Sequence, residues 1–385
     1  MRKFLFCLFV IPLFWTACKD DDVNNLPVEE SEEDLLAIEY NPISVTLELH
    51  DSLPQMNIPA DNPLTEAGIE LGRYLFYDPI LSADSTMSCN SCHLLDGGLT
   101  DNMAVSVGVN GSSGQRSSMS LFNIGFANNG LFWDGRVMTL EEQALLPIED
   151  IHEFAENWDN VEVKLRRSTF YPAMFREAFG IEKRSKITRD LAVKAIASFE
   201  RTLILFGGSV FDRVNYLQEP GLELPDLAID GFEMFRDNVF DNLPDIECEH
   251  CHTRPLFTSD NYRNNGLDEA ENLEDFDDLG RGGFTMNPID NGKFRSPTLR
   301  NIALTAPYMH DGRFQTLREV VEHYNSGGHP SLNKNTLIVP LGMEDPDVTN
   351  QIVGGDAIDA VVAFLHTLTD TTYLSNPAFQ NPFEN

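Results

Sequence analysis

Apolar residues recur at helical spacing towards the end of the chain, in the segment DAIDAVVAFLHTLTD. Ile358, Val361, Leu365 and Leu368 fall on one face at intervals of three or four residues, which predicts an amphipathic helix. The segment 187–208, ITRDLAVKAIASFERTLILFGG, has a similar period and ends at a glycine pair, so it predicts a second helix.

Strand patterns are scarce along the rest of the chain. Residues 63–78, PLTEAGIELGRYLFYD, predict a further helix, whereas the acidic and glycine-rich stretch 268–292 predicts a long loop. The expected fold class is therefore mainly α, with long loops between the helices.

The first residues, MRKFLFCLFVIPLFWTAC, are typical of a targeting segment with a basic start and a short apolar run. The run is too short for a comfortable membrane span. TAC followed by KDDD resembles a bacterial lipoprotein signal, which predicts a signal peptide over 1–18 and a lipid anchor at Cys18; an ordinary signal peptide cut nearby is the alternative. Both place the protein outside the cytoplasm, and 19–56 is predicted to be an acidic, disordered tether.

The formal net charge is -34 at pH 7. The large excess of acidic over basic residues repels phosphates, so nucleic acid is excluded as a partner. The charge favours either a basic partner or a strongly solvated surface.

Four of the six cysteines lie outside the targeting segment and form two pairs, each followed directly by histidine: CNSCH at 89–93 and CEHCH at 248–252. A zinc ribbon would separate its pairs by about 15–20 residues, and a thioredoxin-type pair has no need of the histidine. C-x-x-C-H is the attachment signal of c-type haem. Cys89, Cys92, Cys248 and Cys251 are thus predicted to bind two haems covalently, with His93 and His252 as the proximal iron ligands.

Each haem motif occupies a segment of ordinary domain size. The prediction is therefore two cytochrome c-like haem domains with long loops, an N-terminal one over 57–215 and a C-terminal one over 216–385.

Several longer motifs point to one family: LFWDGR, LEEQALLPI and, near the end, GKFRSPTLRNIALTAPYMHDGRFQTLREVVEHYNSGG. Together with the two haem motifs they resemble the bacterial di-haem cytochrome c peroxidases and their MauG relatives, from about residue 64 to residue 369. The resemblance implies that the first haem reduces peroxide and that the second stores and relays electrons.

The family has an acid–base glutamate shortly after F-W-D-G-R, and that position is Glu141 in this chain. Such a group moves a proton between the two peroxide oxygens while the bond between them breaks. Its neighbour Glu142 is expected to be a solvated residue at a helix start. Leu131 stands where the family usually has a glutamine that contacts peroxide.

Many family members also cap the first iron with a histidine from a G-H-G loop. That place falls on Val109, which cannot bind iron, and no other histidine lies between His93 and His152. The first haem is therefore expected to be open, with Met103 and Met119 as the remaining side chains that could approach it.

For the second haem, the resemblance places a distal ligand at Tyr324. Ordinary peroxidases of the family have methionine at this position and MauG has tyrosine, and a phenolate ligand would lower the reduction potential. The alternative is that Tyr324 only packs and that Met343, Met309 or Met286 is the ligand.

Two other family features are altered in this chain. Phe122 replaces the tryptophan that bridges the haems, so electrons would have to tunnel past a side chain that is hard to oxidise. A calcium site between the domains maps to Ser117, Thr305 and Pro307, where serine replaces asparagine among the oxygen ligands.

The leading functional hypothesis is a peroxidase that reduces hydrogen peroxide to water with electrons from a small cytochrome c or cupredoxin. The alternatives are a MauG-like oxidase that acts on a protein partner and a non-catalytic di-haem electron carrier. The acidic surface would steer a basic donor. A homodimer is common in the family.

Overall fold

The computed structural model describes residues 34–236, 246–338 and 354–384. The predicted signal peptide with Cys18 and the candidate ligand Met343 lie outside the described residues. Within them the fold is mainly helical, as predicted. The α-helices are α1 (Glu66–Tyr77), α2 (Cys89–Cys92), α3 (Leu140–Glu149), α4 (Trp158–Arg167), α5 (Tyr171–Phe179), α6 (Arg189–Glu200), α7 (Val210–Asn215), α8 (Asp226–Phe235), α9 (Arg281–Thr285), α10 (Leu317–Asn325) and α11 (Gly355–Thr367).

One small sheet is found in the described part of the chain: β1 (Tyr262–Arg263) pairs antiparallel with β2 (Phe294–Arg295). The acidic stretch 268–292 is mostly loop, as predicted, and includes the five-residue α9. The described helices include none with the length and apolar character needed to cross a bilayer.

Helix α1 crosses α6 at very close range. Thr65 caps the start of α1 by accepting a hydrogen bond from the Gly68 amide, and Leu71 and Leu75 are buried on its inner face. At the crossing, a Cβ built on Gly72 would lie 1.9 Å from the carbonyl oxygen of Ala195 in α6. Only glycine allows the two backbones to approach this closely.

The same arrangement occurs between α8 and α11. A Cβ on Gly231 of α8 would lie 1.9 Å from the carbonyl oxygen of Ala360 in α11. The apolar stripe predicted from the sequence is the buried face of this helix, where Ile358, Val361 and Leu365 point into the core. The chain therefore contains two glycine-dependent helix crossings, one in each half.

The two crossings belong to separate apolar cores, but the halves are interlinked. Phe211 of α7 already packs in the core of the second crossing. After α11 the chain returns to the first half, where Tyr373 and Phe379 are buried beside Phe76 of α1. The Tyr77 hydroxyl donates a hydrogen bond of 2.6 Å to the Phe379 carbonyl oxygen. The domain division at residue 215 stays a prediction.

We expect Gly72→Ala to lower the stability of the haem-loaded protein by about 1–3 kcal/mol, because the new methyl group meets backbone that cannot move aside. Gly231→Ala should have a similar effect on the second crossing. Chemical denaturation measures both changes.

Gly355→Ala is the matched control, because a Cβ at this first residue of α11 meets no atom within 4 Å. Its stability should be unchanged or raised by up to about 1 kcal/mol, through helix propensity. Equal stabilities of Gly72→Ala and Gly355→Ala would contradict the close-crossing argument.

Candidate functional site

Each C-x-x-C-H motif opens onto a large cavity. The first cavity is lined by Cys89, Cys92 and His93 and has a volume of about 640 Å³. The second cavity is lined by Cys248, Cys251 and His252 together with many apolar side chains, and its volume is about 280 Å³. Both volumes are in or near the range typical of small-molecule and cofactor sites, about 300–1,000 Å³.

Local backbone structure places His93. The short helix α2 holds Cys89 and Cys92, and the His93 amide closes it by donating to the Cys89 carbonyl oxygen. The His93 Nδ1 lies 3.0 Å from the Leu99 carbonyl oxygen. Such a contact fixes the orientation and tautomer of the ring and presents Nε2 as the metal-binding nitrogen.

His252 is held in the same manner. Its Nδ1 lies 3.2 Å from the Phe257 carbonyl oxygen and 3.1 Å from that of Pro297. Burial lowers the pKa of His252, as it does that of His93. Both rings are thus favoured in the neutral form, which is the form that binds a metal.

The four motif cysteines form no disulfide. Burial raises the pKa of Cys92 to about 11 and also raises the pKa of Cys251. Paired protonated thiols beside a neutral, oriented imidazole, at the edge of a mainly apolar cavity, are the donor set that a c-type haem requires. The residues at both cavities therefore fit the group.

Glu141 lies in the first turn of α3 and is held tightly. Its Oε1 accepts hydrogen bonds from Asn62 Nδ2 at 2.7 Å and from Arg201 at 2.8 Å, and its Oε2 accepts a second bond from Arg201 at 3.0 Å. These contacts outweigh the opposing effect of burial and lower the pKa of Glu141. The structure thus holds Glu141 as a carboxylate. Gln143 and Ala144 of the same helix line the first cavity, whereas Glu141 is not among the described residues that do.

Glu142 has a different environment, although it is next in the sequence. Its carboxylate accepts hydrogen bonds from the Met138 and Thr139 amides and completes the N-terminal cap of α3. The residue is exposed to solvent. Its contacts are those of a helix-start residue.

The lining of the first cavity combines apolar side chains with polar ones such as Gln115 and Arg116. Leu131 lines it, as does Met119, whereas Met103 is half exposed. The backbone of Val109 is tied to the Glu153 carbonyl oxygen at 2.8 Å. Among the described residues, two histidines line this cavity: His93 and the exposed His152.

In the second cavity, two of the candidate distal ligands lie side by side. The Asn265 amide nitrogen is 3.3 Å from the Tyr324 hydroxyl and 3.4 Å from the Met309 sulfur. Burial raises the pKa of Tyr324 to about 12. Met286 is 82% exposed and lies away from this cavity. Asn265 had no signal in the sequence, because its partners are 44 and 59 residues away.

Two buried ion pairs support the loops around the second cavity. Arg300 donates two hydrogen bonds to Asp212, at 2.7 and 3.0 Å, and both side chains are completely buried. Arg300 also donates to the Pro255 carbonyl oxygen, three residues after His252. Arg295 makes a similar buried pair with Asp260. A buried pair of this kind is costly to break, so it holds the loop in one geometry.

The two cavities adjoin each other. The residues that line both are Ser117, Ser118, Met119, Ile124 and Trp133. The indole nitrogen of Trp133 donates a 2.9 Å hydrogen bond to the Ser117 carbonyl oxygen. Sequence reasoning concentrated on Phe122 and missed Trp133, although the indole of LFWDGR was a visible signal.

Phe122 lines the second cavity and packs edge-on against Tyr373, with ring centroids 4.6 Å apart. The three predicted calcium positions, Ser117, Thr305 and Pro307, also line the second cavity. The Ser117 hydroxyl donates to the Met309 carbonyl oxygen at 3.0 Å. The three residues thus line the same cavity, and the calcium site stays a prediction.

Comparison with known proteins adds an independent finding. A family model described as di-haem cytochrome c peroxidase matches residues 66–219. The chain is 32% identical over 342 residues to cytochrome-c peroxidase IdrP1 of Denitromonas iodatirespirans, which covers 82% of this chain and 87% of that protein. It is 34% identical over 278 residues to the methylamine utilization protein MauG of Methylophilus methylotrophus, covering 72% of this chain and 76% of that one.

Solved structures agree with this. A MauG-like protein associated with microbial copper homeostasis superposes with a TM-score of 0.76 at 30% sequence identity, over 88% of this chain and all of that one. The diheme peroxidase BthA from Burkholderia thailandensis has a TM-score of 0.65 at 24% identity, covering 81% of this chain and 88% of that one, and supports the fold alone.

Proposed function

This chain belongs to the di-haem cytochrome c peroxidase family, and on that basis we propose that it reduces hydrogen peroxide to water with electrons from a small redox protein. The observation that carries the proposal is the pair of adjoining cavities, each with two cysteine thiols and an imidazole held through Nδ1. We further propose that each cavity is the centre of one haem domain, with covalent attachment through Cys89 and Cys92 and through Cys248 and Cys251.

When bound, the haems supply the redox chemistry: one iron exchanges electrons with peroxide and the other stores them. The protein must orient both groups, leave one face open and provide a proton. His93 and His252 supply the axial nitrogens, and the neutral state of both rings suits that task. The residues common to both cavities, Trp133 among them, give electrons a short path between the two centres.

The first cavity is the better reaction site. Leu131 and Met119 are apolar lining residues of this cavity, and Val109 carries no side chain that could bind iron. Glu141, ionised by its contacts with Arg201 and Asn62, is suited to accept a proton from incoming peroxide. Glu141 is therefore the proposed general base of the reaction.

The second cavity is suited to electron storage. Tyr324 and Met309 stand together at Asn265, so either could close the iron against exogenous ligands. We propose Tyr324 as the distal ligand, on the resemblance to MauG at this position. Met309 is the alternative within the described residues, and Met343 remains an alternative outside them.

Tyr324 also favours a second candidate function, a MauG-like oxidation of a protein partner. Phenolate ligation lowers the reduction potential and favours highly oxidised iron over simple electron storage. Phe122, which is hard to oxidise, weighs against this second function. A non-catalytic electron carrier would require both irons to be closed, and Val109 supplies no ligand that could close the first one.

The remaining features are consistent with an exported protein. We propose a lipid anchor at Cys18 on the periplasmic or cell-surface side of a bacterial membrane. The net charge of -34 favours a basic cytochrome c or cupredoxin as the electron donor. A calcium ion at Ser117, Thr305 and Pro307 and a homodimer are proposed from the family resemblance alone.

Steady-state turnover of hydrogen peroxide with a reduced small cytochrome c tests the main proposal. The oxidised protein should also show a high-spin component in its electronic spectrum, because the first haem is open. Purely low-spin spectra without peroxide turnover would leave only the electron carrier. Poor turnover with small donors, together with a high-spin component, would favour the MauG-like function.

Glu141→Gln should slow peroxide reduction by about 10²-fold or more, because an amide cannot take up a proton. The measurement is kcat/KM for peroxide with saturating donor. Glu142→Gln is the matched control. It removes one negative charge, as Glu141→Gln does, and glutamine can still cap the helix. Similar rates in the two variants would rule out the assignment of Glu141.

Tyr324→Phe removes the phenol and keeps the ring. If the phenolate binds iron, the variant should lose the spectroscopic signature of the low-spin second haem and its reduction potential should rise. Asn265→Ala, which removes a hydrogen-bond donor to the same hydroxyl, should change the potential less. A spectrum and potential unchanged in Tyr324→Phe would instead assign the ligand to a methionine.

A further inference from the structure

One carboxyl group that lines the first cavity is buried at the end of α6, and neither the sequence motifs nor the family resemblance points to it. Glu200 is the last residue of α6 and is 4% exposed. It lines the first cavity together with Ile196, one helical turn earlier on the same face of α6. Its Oε2 is buried and has no hydrogen-bond partner among the described residues. A buried, unpartnered oxygen at a cavity surface requires an explanation.

The adjacent arginine does not neutralise it. Arg201 directs both terminal nitrogens to Glu141, at 2.8 and 3.0 Å. Its side chain is itself only 4% exposed, so the guanidinium is fixed in that pairing. Both carboxyls thus lie near the Arg201 charge, but the terminal nitrogens of Arg201 donate their hydrogen bonds to Glu141.

This unequal distribution of hydrogen bonds separates the two pKa values. The pKa of Glu200 is raised to about 8, mainly by burial; the charge of Arg201 opposes this rise and the charge of Glu141 adds to it. Hydrogen bonds from Arg201 and Asn62 lower the pKa of Glu141 instead. A pair of neighbouring carboxyls with opposite shifts is the arrangement by which enzymes divide acid and base tasks. Near neutral pH one of them is ionised and the other is protonated.

We propose that Glu200 is the proton-donating acid of the first haem cavity, and that Glu141 is its ionised partner. The inference rests on the proposed peroxide reduction and refines it by dividing the proton transfer between two residues. As the O–O bond breaks, the leaving oxygen forms an O–H bond with the Glu200 proton and departs as the first water. The second oxygen leaves as the second water, with two electrons from the reduced redox protein and a second proton from solvent. Solvent also returns the proton to Glu200, so one hydrogen peroxide, two electrons and two protons give two waters.

The surroundings supply the remaining charges that affect Glu200. Arg201 follows it in the chain, Glu141 faces it from α3, and the Cys89 thiol faces it from α2. A second buried carboxyl, Glu153, also lines the first cavity, and burial raises its pKa to about 7. It lies beside Asp150 and Arg136, away from Arg201, so it provides a matched comparison for the experiments below.

Infrared difference spectroscopy of the haem-loaded protein detects protonated carboxyl groups directly, without turnover. At pH 7 the wild-type protein should show the carbonyl band of a protonated carboxylic acid that is lost in Glu200→Gln. Glu153→Gln should remove a different band, and Glu141→Gln should remove none, because that group is already ionised. A band pattern unchanged by Glu200→Gln would show that Glu200 is ionised and would overturn the proposal.

Stability against pH gives a second readout, independent of activity. The pKa of Glu200 is higher in the folded than in the unfolded protein, so the folded state binds more protons between about pH 4.5 and 8. The stability that protonation of Glu200 gives to the folded protein is fully present below this window, and it is lost as the pH rises through it. Glu200→Gln should therefore have a Tm similar to that of wild type at pH 5 and a higher Tm at pH 9. A constant Tm difference across this range would contradict a buried, titrating Glu200.

Kinetics then tests the proton transfer itself. Glu200→Gln should lower kcat for peroxide at least 10²-fold, with an unchanged haem spectrum and little change in KM. Glu200→Asp, which keeps an ionisable group, should recover part of the rate. If wild type reduces peroxide and Glu200→Gln does so equally fast, the inference fails while the proposed function stands. If wild type itself does not reduce peroxide, the proposed function fails, and the infrared and Tm results still decide whether Glu200 is protonated.

Discussion

The close approach of helix backbones at Gly72 and Gly231 is the contact on which the rest of the structure depends. Each crossing brings one long helix against the back of a cavity. Helix α6 contributes Ile196 and Glu200 to the first cavity, and α11 contributes Val361 and Leu365 to the second. If the helices stood further apart, the lining residues would move outward with them. The two glycines thus help to set the position of residues that line both cavities.

Much of this could be predicted from the sequence, because the strongest signals are local. Periodic apolar residues gave α1, α6 and α11, and two C-x-x-C-H motifs gave the cofactor sites. The less predictable part depends on partners that are distant in sequence. Glu141 meets Arg201 sixty residues later, and Tyr324 meets Asn265 fifty-nine residues earlier. No periodicity or spacing rule contains such pairings, since they arise only when loops and helices pack together.

Glu200 illustrates the limit most clearly. In the sequence it stands at the end of an amphipathic helix beside an arginine, where an exposed ion pair would be the ordinary expectation. The fold instead turns both residues inward and gives the arginine to a different carboxylate. A pattern that classes residues only as polar or apolar does not reveal which polar residues are buried. Chemical function is concentrated at such buried polar residues.

The return of the chain from α11 to the first half has a consequence for the order of folding. Phe379 and Tyr373 complete a core that begins with Phe76 and Tyr77, some 300 residues earlier in the chain. A chain synthesised from its N-terminus can form α1 early, but this core stays unfinished until Tyr373 and Phe379 have been synthesised. Proteolytic cleavage just before Tyr373 should therefore loosen the first half of the protein rather than the second.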